Sequence, residues 1–164
     1  MAKYTIGRGL DEYIAQLGNL QRSAKPVIGL SVYEGAKVVA DGIRKEIEAL
    51  PTEAVLADSE SKKKPRRNPT PVEKEGLLQG LGVAKMTDDR GFLNVKIGMD
   101  DYNRHVTEKW PYGKPNAMIA RSIDRGTSFM RRIPFISTAT RKTRKQAEAA
   151  MQAELDKQIK RIMK

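Results

Sequence analysis

Residues 25–50 read KPVIGLSVYEGAKVVADGIRKEIEAL and carry the clearest secondary-structure signal in the sequence. Its apolar residues recur at intervals of three or four, which places them on one face of an α-helix. Pro26 fits the first turn of such a helix, and Pro51 marks its end. The pattern predicts a long N-terminal helix with a buried stripe of Ile28, Val32, Ala36, Val39, Ile43, Ile47 and Leu50.

A shorter helix is predicted just upstream, from Leu10 to Leu17. Asp11 and Glu12 would lie in its first turn, where the positive end of the helix dipole favours acidic residues. Gly18 is expected to end this helix, because glycine is a poor helix former and a common terminator.

A second long helix is predicted at the C-terminal end of the chain. Pro134 would open it, and it would reach Met163, a length of about 42 Å at 1.5 Å per residue. Small side chains dominate the first half of its apolar stripe, so we expect close backbone approach, either to the sheet or to another subunit. The stripe consists of Ile136, Ala139, Thr143, Ala147, Met151, Leu155, Ile159 and Ile162.

The middle of the chain has the pattern of a β-hairpin. Val83–Met86 and Phe92–Met99 flank the turn-forming residues of Thr87–Gly91, and apolar and polar residues alternate along the second segment. Gly76–Gly82 is interpreted as a flexible entry into these strands. Together the elements predict one α+β domain over residues 1–164, with a small, mainly antiparallel sheet packed against a long N-terminal helix and a long C-terminal helix.

Two further segments complete the predicted organisation. Asp100–Pro115 is interpreted as a loop anchored in part by its aromatic residues. Asn116 can cap a short helix that runs to Asp124 or Arg125, and Gly126 suits the residue after its end.

The segment Thr52–Glu75 is predicted to be an exposed, flexible loop. It lacks periodicity, contains several prolines and carries a run of like charges, which repel one another. A basic run of this kind is either a solvated loop or a site of contact with phosphate or DNA. Its candidate contact residues are Lys62, Lys63, Lys64, Arg66 and Arg67.

Composition argues against most enzyme classes. The 164 residues contain no cysteine and one histidine, so thiol nucleophiles, cysteine metal sites and histidine proton shuttles are absent or nearly so. His105 and Glu108 lack a third ligand in the sequence, and an ordinary loop histidine is the simpler interpretation. We therefore expect no enzymatic activity, no cofactor and no metal. No apolar run approaches the ~18 residues that would cross a bilayer, so no membrane contact is expected.

The net charge of +11 is unevenly distributed along the chain. Residues 1–61 have a net charge of −2, whereas residues 121–164 have a net charge of +8. Such asymmetry suggests an acidic partner surface or nucleic acid near the last third of the chain. No aromatic residues interleave with these cations for base stacking, so any DNA contact would be to phosphates and non-specific. The cluster comprises Arg121, Arg125, Arg131, Arg132, Arg141, Lys142, Arg144 and Lys145.

The run IARSIDRGTSFMRRIPFISTA at residues 119–139 resembles the signature of a tail-component family of long-tailed double-stranded DNA phages. This family, named after the tenth gene product of a lambdoid phage, includes tail-completion and head–tail joining proteins. The resemblance extends to the amphipathic helix around residues 33–40 and to segments 76–86 and 91–98. The matching motif positions are Ile123, Asp124, Gly126, Thr127, Ser128, Pro134, Phe135 and Ala139.

The residue types of this motif suggest a scaffold. Gly126 permits a sharp turn, Thr127 and Ser128 can tie the turn to backbone groups, and Phe135 can insert into the core. The intervening turn would then be free to contact a neighbour, with an apolar Phe-Met pair inside an arginine rim. The candidate interface residues are Phe129, Met130, Arg131, Arg132, Arg141, Arg144 and Lys145.

The resemblance implies a structural virion protein that assembles as a ring at the head-proximal end of the tail. Its partners would be further copies of itself and neighbouring tail or connector proteins, with possible non-specific contact with phage DNA. The expected location is the virion, and the bacterial host cytoplasm during assembly. Three alternatives stay open: a non-specific nucleic-acid-binding protein, a tail chaperone or minor tail protein, and a small hydrolase, for which no activated nucleophile is evident.

Overall fold

The computed structural model describes residues 8–52, 66–104, 106 and 108–163. The fold is α+β and mostly helical, as predicted, with two long helices and a small antiparallel set of strands. The elements are α1 (Arg8–Glu48), α2 (Pro71–Gly80), β1 (Leu81–Val83), β2 (Thr87–Asp89), β3 (Phe92–Asn94), β4 (Ile97–Met99), α3 (Asn116–Arg125) and α4 (Phe135–Ile162).

Helix α1 is one element of 41 residues, so the predicted break at Gly18 is wrong. Pro26 lies inside this helix and not in its first turn. One proline removes a single backbone hydrogen bond, and the residues between Gly18 and Pro26 include good helix formers and no second breaker. The helix therefore continues through both positions.

The buried stripe of α1 follows the prediction from Ala36 onward, where Ile43, Ile47 and Leu50 are also buried. Upstream it differs, because Val27 and Ser31 are buried whereas Ile28 is exposed. The Ser31 hydroxyl donates a hydrogen bond to the backbone oxygen of Met151 at 2.9 Å. The upstream stripe is thus set by the position of α4.

Helices α1 and α4 pack antiparallel along their small residues. Gly42 lies against the methyl group of Thr143, and Gly35 lies against the side chain of Met151, so that a Cβ at either glycine would overlap its neighbour. The predicted close approach is therefore confirmed. Its partner within the chain is α1, and not the sheet.

The predicted hairpin is present, although its strands are short. β1 pairs with β4, β2 pairs with β3, and both pairs are antiparallel. Arg90 and Gly91 both have positive φ, 53° and 89°, which makes the turn two residues long and tighter than expected. The hydroxyl oxygen of Tyr33 in α1 accepts a hydrogen bond from the backbone N–H of Met86 at 2.7 Å and holds the hairpin against α1.

The segment predicted as loop and strand entry contains helix α2 instead. Thr70 and Glu73 form a capping box, in which each side chain accepts a hydrogen bond from the other residue's backbone N–H, and Pro71 occupies the first turn. Residues 53–65, which include Lys62, Lys63 and Lys64, lie outside the described part of the chain. The end of the predicted flexible loop, from Pro71 to Glu75, is therefore helical.

Helix α3 has the predicted extent, but Asn116 is not its cap. Asn116 is the first helical residue, and its side-chain amide donates to the backbone oxygen of Asp100 at 2.9 Å. It thereby fixes the preceding loop, in which Asn103 is also buried. Within the described ranges, no helix combines the length and the apolar character that crossing a bilayer requires.

The hydrophobic core lies where the second half of α1 meets α2, α3 and the start of α4. Most of its side chains are aliphatic, and Phe135 is its one aromatic member. The core residues are Ile43, Ile47, Leu50, Leu77, Leu81, Ile119, Ala120, Ile123, Met130, Phe135 and Ala139.

Candidate interaction surface

The junction between α3 and α4, residues 126–134, is held by its own hydrogen bonds. Gly126 has φ 74°, and a Cβ there would lie 2.9 Å from the Cβ of Arg132. The hydroxyl oxygen of Thr127 accepts from the backbone N–H of Met130 at 2.9 Å, and the backbone N–H of Thr127 donates to the oxygen of Met130 at 3.0 Å. The scaffold roles predicted for Gly126 and Thr127 are confirmed.

The two helices that flank the junction are tied to each other at their ends. A carboxylate oxygen of Asp124, near the end of α3, accepts a hydrogen bond from the backbone N–H of Ile136 in the first turn of α4 at 3.1 Å. Backbone N–H groups in the first turn of a helix have no intrahelical partner, so this acid acts as a cap from 12 residues away. The backbone N–H of Ile133 also donates to the oxygen of Ile123 at 2.8 Å.

The side chains of the motif divide into buried and exposed groups. Ile123, Phe135 and Ala139 lie in the core, as a scaffold requires, whereas Ser128 is exposed. Met130 is fully buried as well. The prediction that Met130 forms part of an exposed interface is therefore wrong, because its side chain fills the core beneath the junction.

Phe129 does lie at the surface, with half of its area (50%) exposed. The Lys114 ammonium lies 5.8 Å from the centre of its ring, which is within the range of a cation–π contact. Phe129 is thus an aromatic side chain available to a neighbour, and a cation already lies beside it.

A backbone connection joins the junction to the end of the basic segment. The backbone N–H of Arg67 donates to the oxygen of Phe129 at 2.9 Å, and the N–H of Arg131 donates to the oxygen of Arg67 at 3.0 Å. Arg67 therefore forms an isolated parallel bridge with Met130, and the segment that contains it, residues 66–70, is here called the strap. Arg66 in the strap is exposed.

Arg67 is engaged within the protein. Its guanidinium forms a two-pronged ion pair with Glu73, whose hydrogen bonding raises the pKa of Arg67 further. Burial alone would raise the pKa of Glu73, but hydrogen bonds from Arg67 and from Thr70 outweigh burial and lower it. Arg67 is thus a structural residue, and the phosphate contact predicted for it would have to use the N–H groups that Glu73 and the Asn68 carbonyl leave free.

The cations of the predicted basic cluster are all exposed. They lie on α3, on the junction and on the first turns of α4, and we call this set, without Lys142, the arginine edge. Arg144 pairs with Glu148 on the surface of α4, and Lys142 pairs with Glu46 of α1. The members of the arginine edge are Arg121, Arg125, Arg131, Arg132, Arg141, Arg144 and Lys145.

A groove of about 370 Å³ lies beside this edge. Its walls include Ile43, Leu81 and Ile97, and both Arg121 and Arg125 line it. Apolar walls with cations at the same opening suit an apolar side chain that is accompanied by acidic groups.

No constellation typical of a metal centre occurs in the described ranges, where no three acidic, histidine or cysteine residues cluster. His105 lies outside those ranges. Comparisons of this chain with protein-family models, with curated proteins and with solved structures give no match.

Proposed function

We propose that this protein is a non-enzymatic phage or prophage virion component, either a tail-completion or a head–tail joining protein. The observation that carries the proposal is the hydrogen-bonded junction between α3 and α4, which presents Phe129, Arg131 and Arg132 to solvent next to helices that carry the rest of the arginine edge. A surface held by internal hydrogen bonds costs little to order on binding, so it suits permanent assembly. The motif resemblance supports the same role.

In this role the protein assembles as a ring at the head-proximal end of the tail. Head-to-tail contacts between copies close into a ring when the rotation between neighbours permits it. The arginine edge faces an acidic surface of an adjoining tail or connector protein, because opposite potentials favour encounter and orientation. The groove beside Arg121 and Arg125 accepts an apolar side chain of that partner.

Deletion of the gene from its phage tests this proposal. We expect DNA-filled heads and separate tails in electron micrographs, with normal virions restored by the wild-type gene. Complementation with the double variant Arg131→Glu, Arg132→Glu should fail. The variant Lys85→Glu, Lys96→Glu makes the same charge change on exposed hairpin positions and should restore virions. Normal virions from the deletion strain would refute the proposal.

Non-specific DNA binding is the second candidate, favoured by the sequence pI of about 9.9 and the exposed arginine edge. Phosphate contacts release counterions, so affinity should fall steeply with salt concentration. Reversal of Lys62, Lys63 and Lys64 together with Arg131 and Arg132 should flatten that dependence in a DNA titration. An unchanged slope would exclude this candidate. A tail chaperone would differ from both by its absence from purified virions.

A further inference from the structure

The first part of α1 extends beyond the end of α4. Gly42 contacts Thr143 and Gly35 contacts Met151, so the two helices run antiparallel. Moving seven residues back along α1 corresponds to moving eight residues forward along α4. Continued along α1, this register brings the end of α4, at Ile162, close to residues 23 and 24. Residues 8–22, here called the arm, therefore have no part of α4 opposite them.

The arm carries an apolar face that nothing in the described chain covers. Tyr13, Ile14 and Leu17 share one side of the helix and are 51%, 59% and 45% exposed. Continued at intervals of three and four, Tyr13 and Leu17 lead through Leu20, Ala24 and Val27 to Ser31, and both Val27 and Ser31 are buried where α4 packs. The uncovered face of the arm is thus the continuation of the face that α4 covers downstream.

The central part of the arm is also uncharged. Residues 13–21, YIAQLGNLQ, contain no charged side chain in a protein in which 31% of residues are charged. Adjacent exposed apolar residues without intervening charges typically mark an interaction site. The absence of charge also means that two such faces can approach without repulsion.

We propose that the arms of two copies of this chain pack antiparallel about a two-fold axis, with the arm of the second copy in line with the end of α4. A two-fold contact brings the same residues together from both sides, so an apolar face meets an apolar face of equal size. When residues 8–22 of one copy lie along residues 8–22 of the other, the two-fold axis passes near residue 15. Ile14 then lies close to its own copy, and Leu17 lies opposite Tyr13 of the second copy.

The shared length is about 22 Å for fifteen helical residues. Such a contact is smaller than the roughly 1,600 Å² of a standard stable interface, so the pair is weak and forms at high protein concentration. This association does not depend on a role in virions, and it is measured on the purified chain.

Disulfide trapping tests the proposal, because the chain contains no cysteine of its own. The variant Ile14→Cys, under mild oxidation, should give a covalent dimer at least about ten times faster than Ala15→Cys. Ala15 is an exposed neighbour about 100° further round the helix and off the apolar face, so it controls for thiol reactivity. Equal rates for the two variants, or no dimer from Ile14→Cys, would overturn the proposal.

A second measurement separates this contact from other oligomers. Leu17→Asp should abolish the dimer in sedimentation experiments at high concentration and leave the thermal midpoint unchanged, because the arm lies outside the core. A dimer that persists in this variant refutes the arm contact. A groove lined by Leu30, Met86 and Leu93 offers a head-to-tail alternative. Crosslinking of Ile14→Cys only with a Leu30→Cys partner would replace the two-fold contact with that one.

Discussion

The guanidinium of Arg67 donates hydrogen bonds to both carboxylate oxygens of Glu73, at 2.7 and 2.8 Å. The same carboxylate accepts from the backbone N–H of Thr70 at 2.9 Å, and the backbone of Arg67 pairs with Phe129 and Arg131. One residue of the basic segment thus connects the start of α2 to the junction before α4. Because Arg67 joins these two elements, it lies beside Arg131 of the arginine edge.

Substitution of Arg67 by alanine should destabilise the protein. Glu73 is buried, and without its partner the carboxylate would keep its charge in a poorly solvated site. We expect the free energy of unfolding to fall by about 2–3 kcal/mol in urea denaturation. The exposed neighbour Arg66 provides the control, and Arg66→Ala should change stability by less than about 0.5 kcal/mol. Equal losses from the two substitutions would contradict the structural role of the ion pair.

Stability should also depend on pH through Glu73, whose pKa is lowered in the folded state. A carboxyl group with a lowered folded pKa stabilises the protein above its unfolded pKa, about 4.3 for glutamate. That contribution is lost as the pH falls from this value through the folded pKa. We therefore expect Glu73→Gln to show a smaller loss of unfolding free energy than the wild type between about pH 5 and 3.

Asp88 supplies the comparison for this experiment. Its pKa is also lowered, first by its hydrogen bond with Lys25, but it lies at the surface and contributes little to stability. Asp88→Asn should retain the steep acid dependence of the wild type. If Glu73→Gln follows the wild-type curve over the whole range, the assignment of acid sensitivity to Glu73 is wrong.

The contact between α1 and α4 should not tolerate a side chain at Gly42. A Cβ there would overlap the methyl group of Thr143, whose hydroxyl is held by a 2.9 Å hydrogen bond to the backbone oxygen of Ala139. A β-branched residue in a helix has little rotamer freedom, so the helices must separate. We expect Gly42→Ala to cost about 1–2 kcal/mol of unfolding free energy, despite the better helix propensity of alanine.

Removal of the opposing methyl group should relieve this loss. The double variant Gly42→Ala, Thr143→Ser keeps the hydroxyl and removes the overlapping atom, so its stability should exceed that of Gly42→Ala alone. Gly18→Ala adds the same methyl group where no atom lies within 4 Å, and it should not destabilise the protein. A comparable loss at Gly18, or no rescue by Thr143→Ser, would argue against close packing at Gly42.

Substitutions of the adjacent residues Phe129 and Met130 should have different effects, one on assembly and the other on stability. Met130→Ala removes a fully buried side chain and should lower the free energy of unfolding by about 3 kcal/mol. Phe129→Ala, at a half-exposed position, should cost less than about 1 kcal/mol but reduce incorporation of the protein into virions. Thermal denaturation and quantification of the protein in purified particles would measure the two effects. Normal incorporation of the Phe129 variant would remove this residue from the proposed interface.

Some structural signals were present in the sequence but were outweighed by their surroundings. Thr70 and Glu73 have the spacing of a capping box, and Pro71 suits the first turn of a helix, so the start of α2 was recognisable locally. The neighbouring prolines and the charge run instead favoured a loop through Glu75. At Gly18 the opposite occurred, because a typical helix terminator lies inside a continuous helix.

The candidate surface could be predicted only in part. The exposed arginines of the junction and the positive φ of Gly126 follow from residue type, since charged groups remain solvated and glycine accepts that conformation at low cost. The capping role of Asp124 did not follow, because its partner Ile136 belongs to the next helix.

The sequence pattern was sufficient to predict the extent of α4, its stripe of small residues and the α+β class. Hydrophobic periodicity, and the prolines and glycines that begin or end helices, involve only neighbouring residues. Tertiary structure alone decided that Met130 faces inward and that Arg67 is paired. Met130 belongs to a core whose other members, such as Ile43 and Leu77, are far away in the chain, and Arg67 is held in place by backbone bonds to Phe129 and Arg131. Local pattern carries no information about which distant residues will meet.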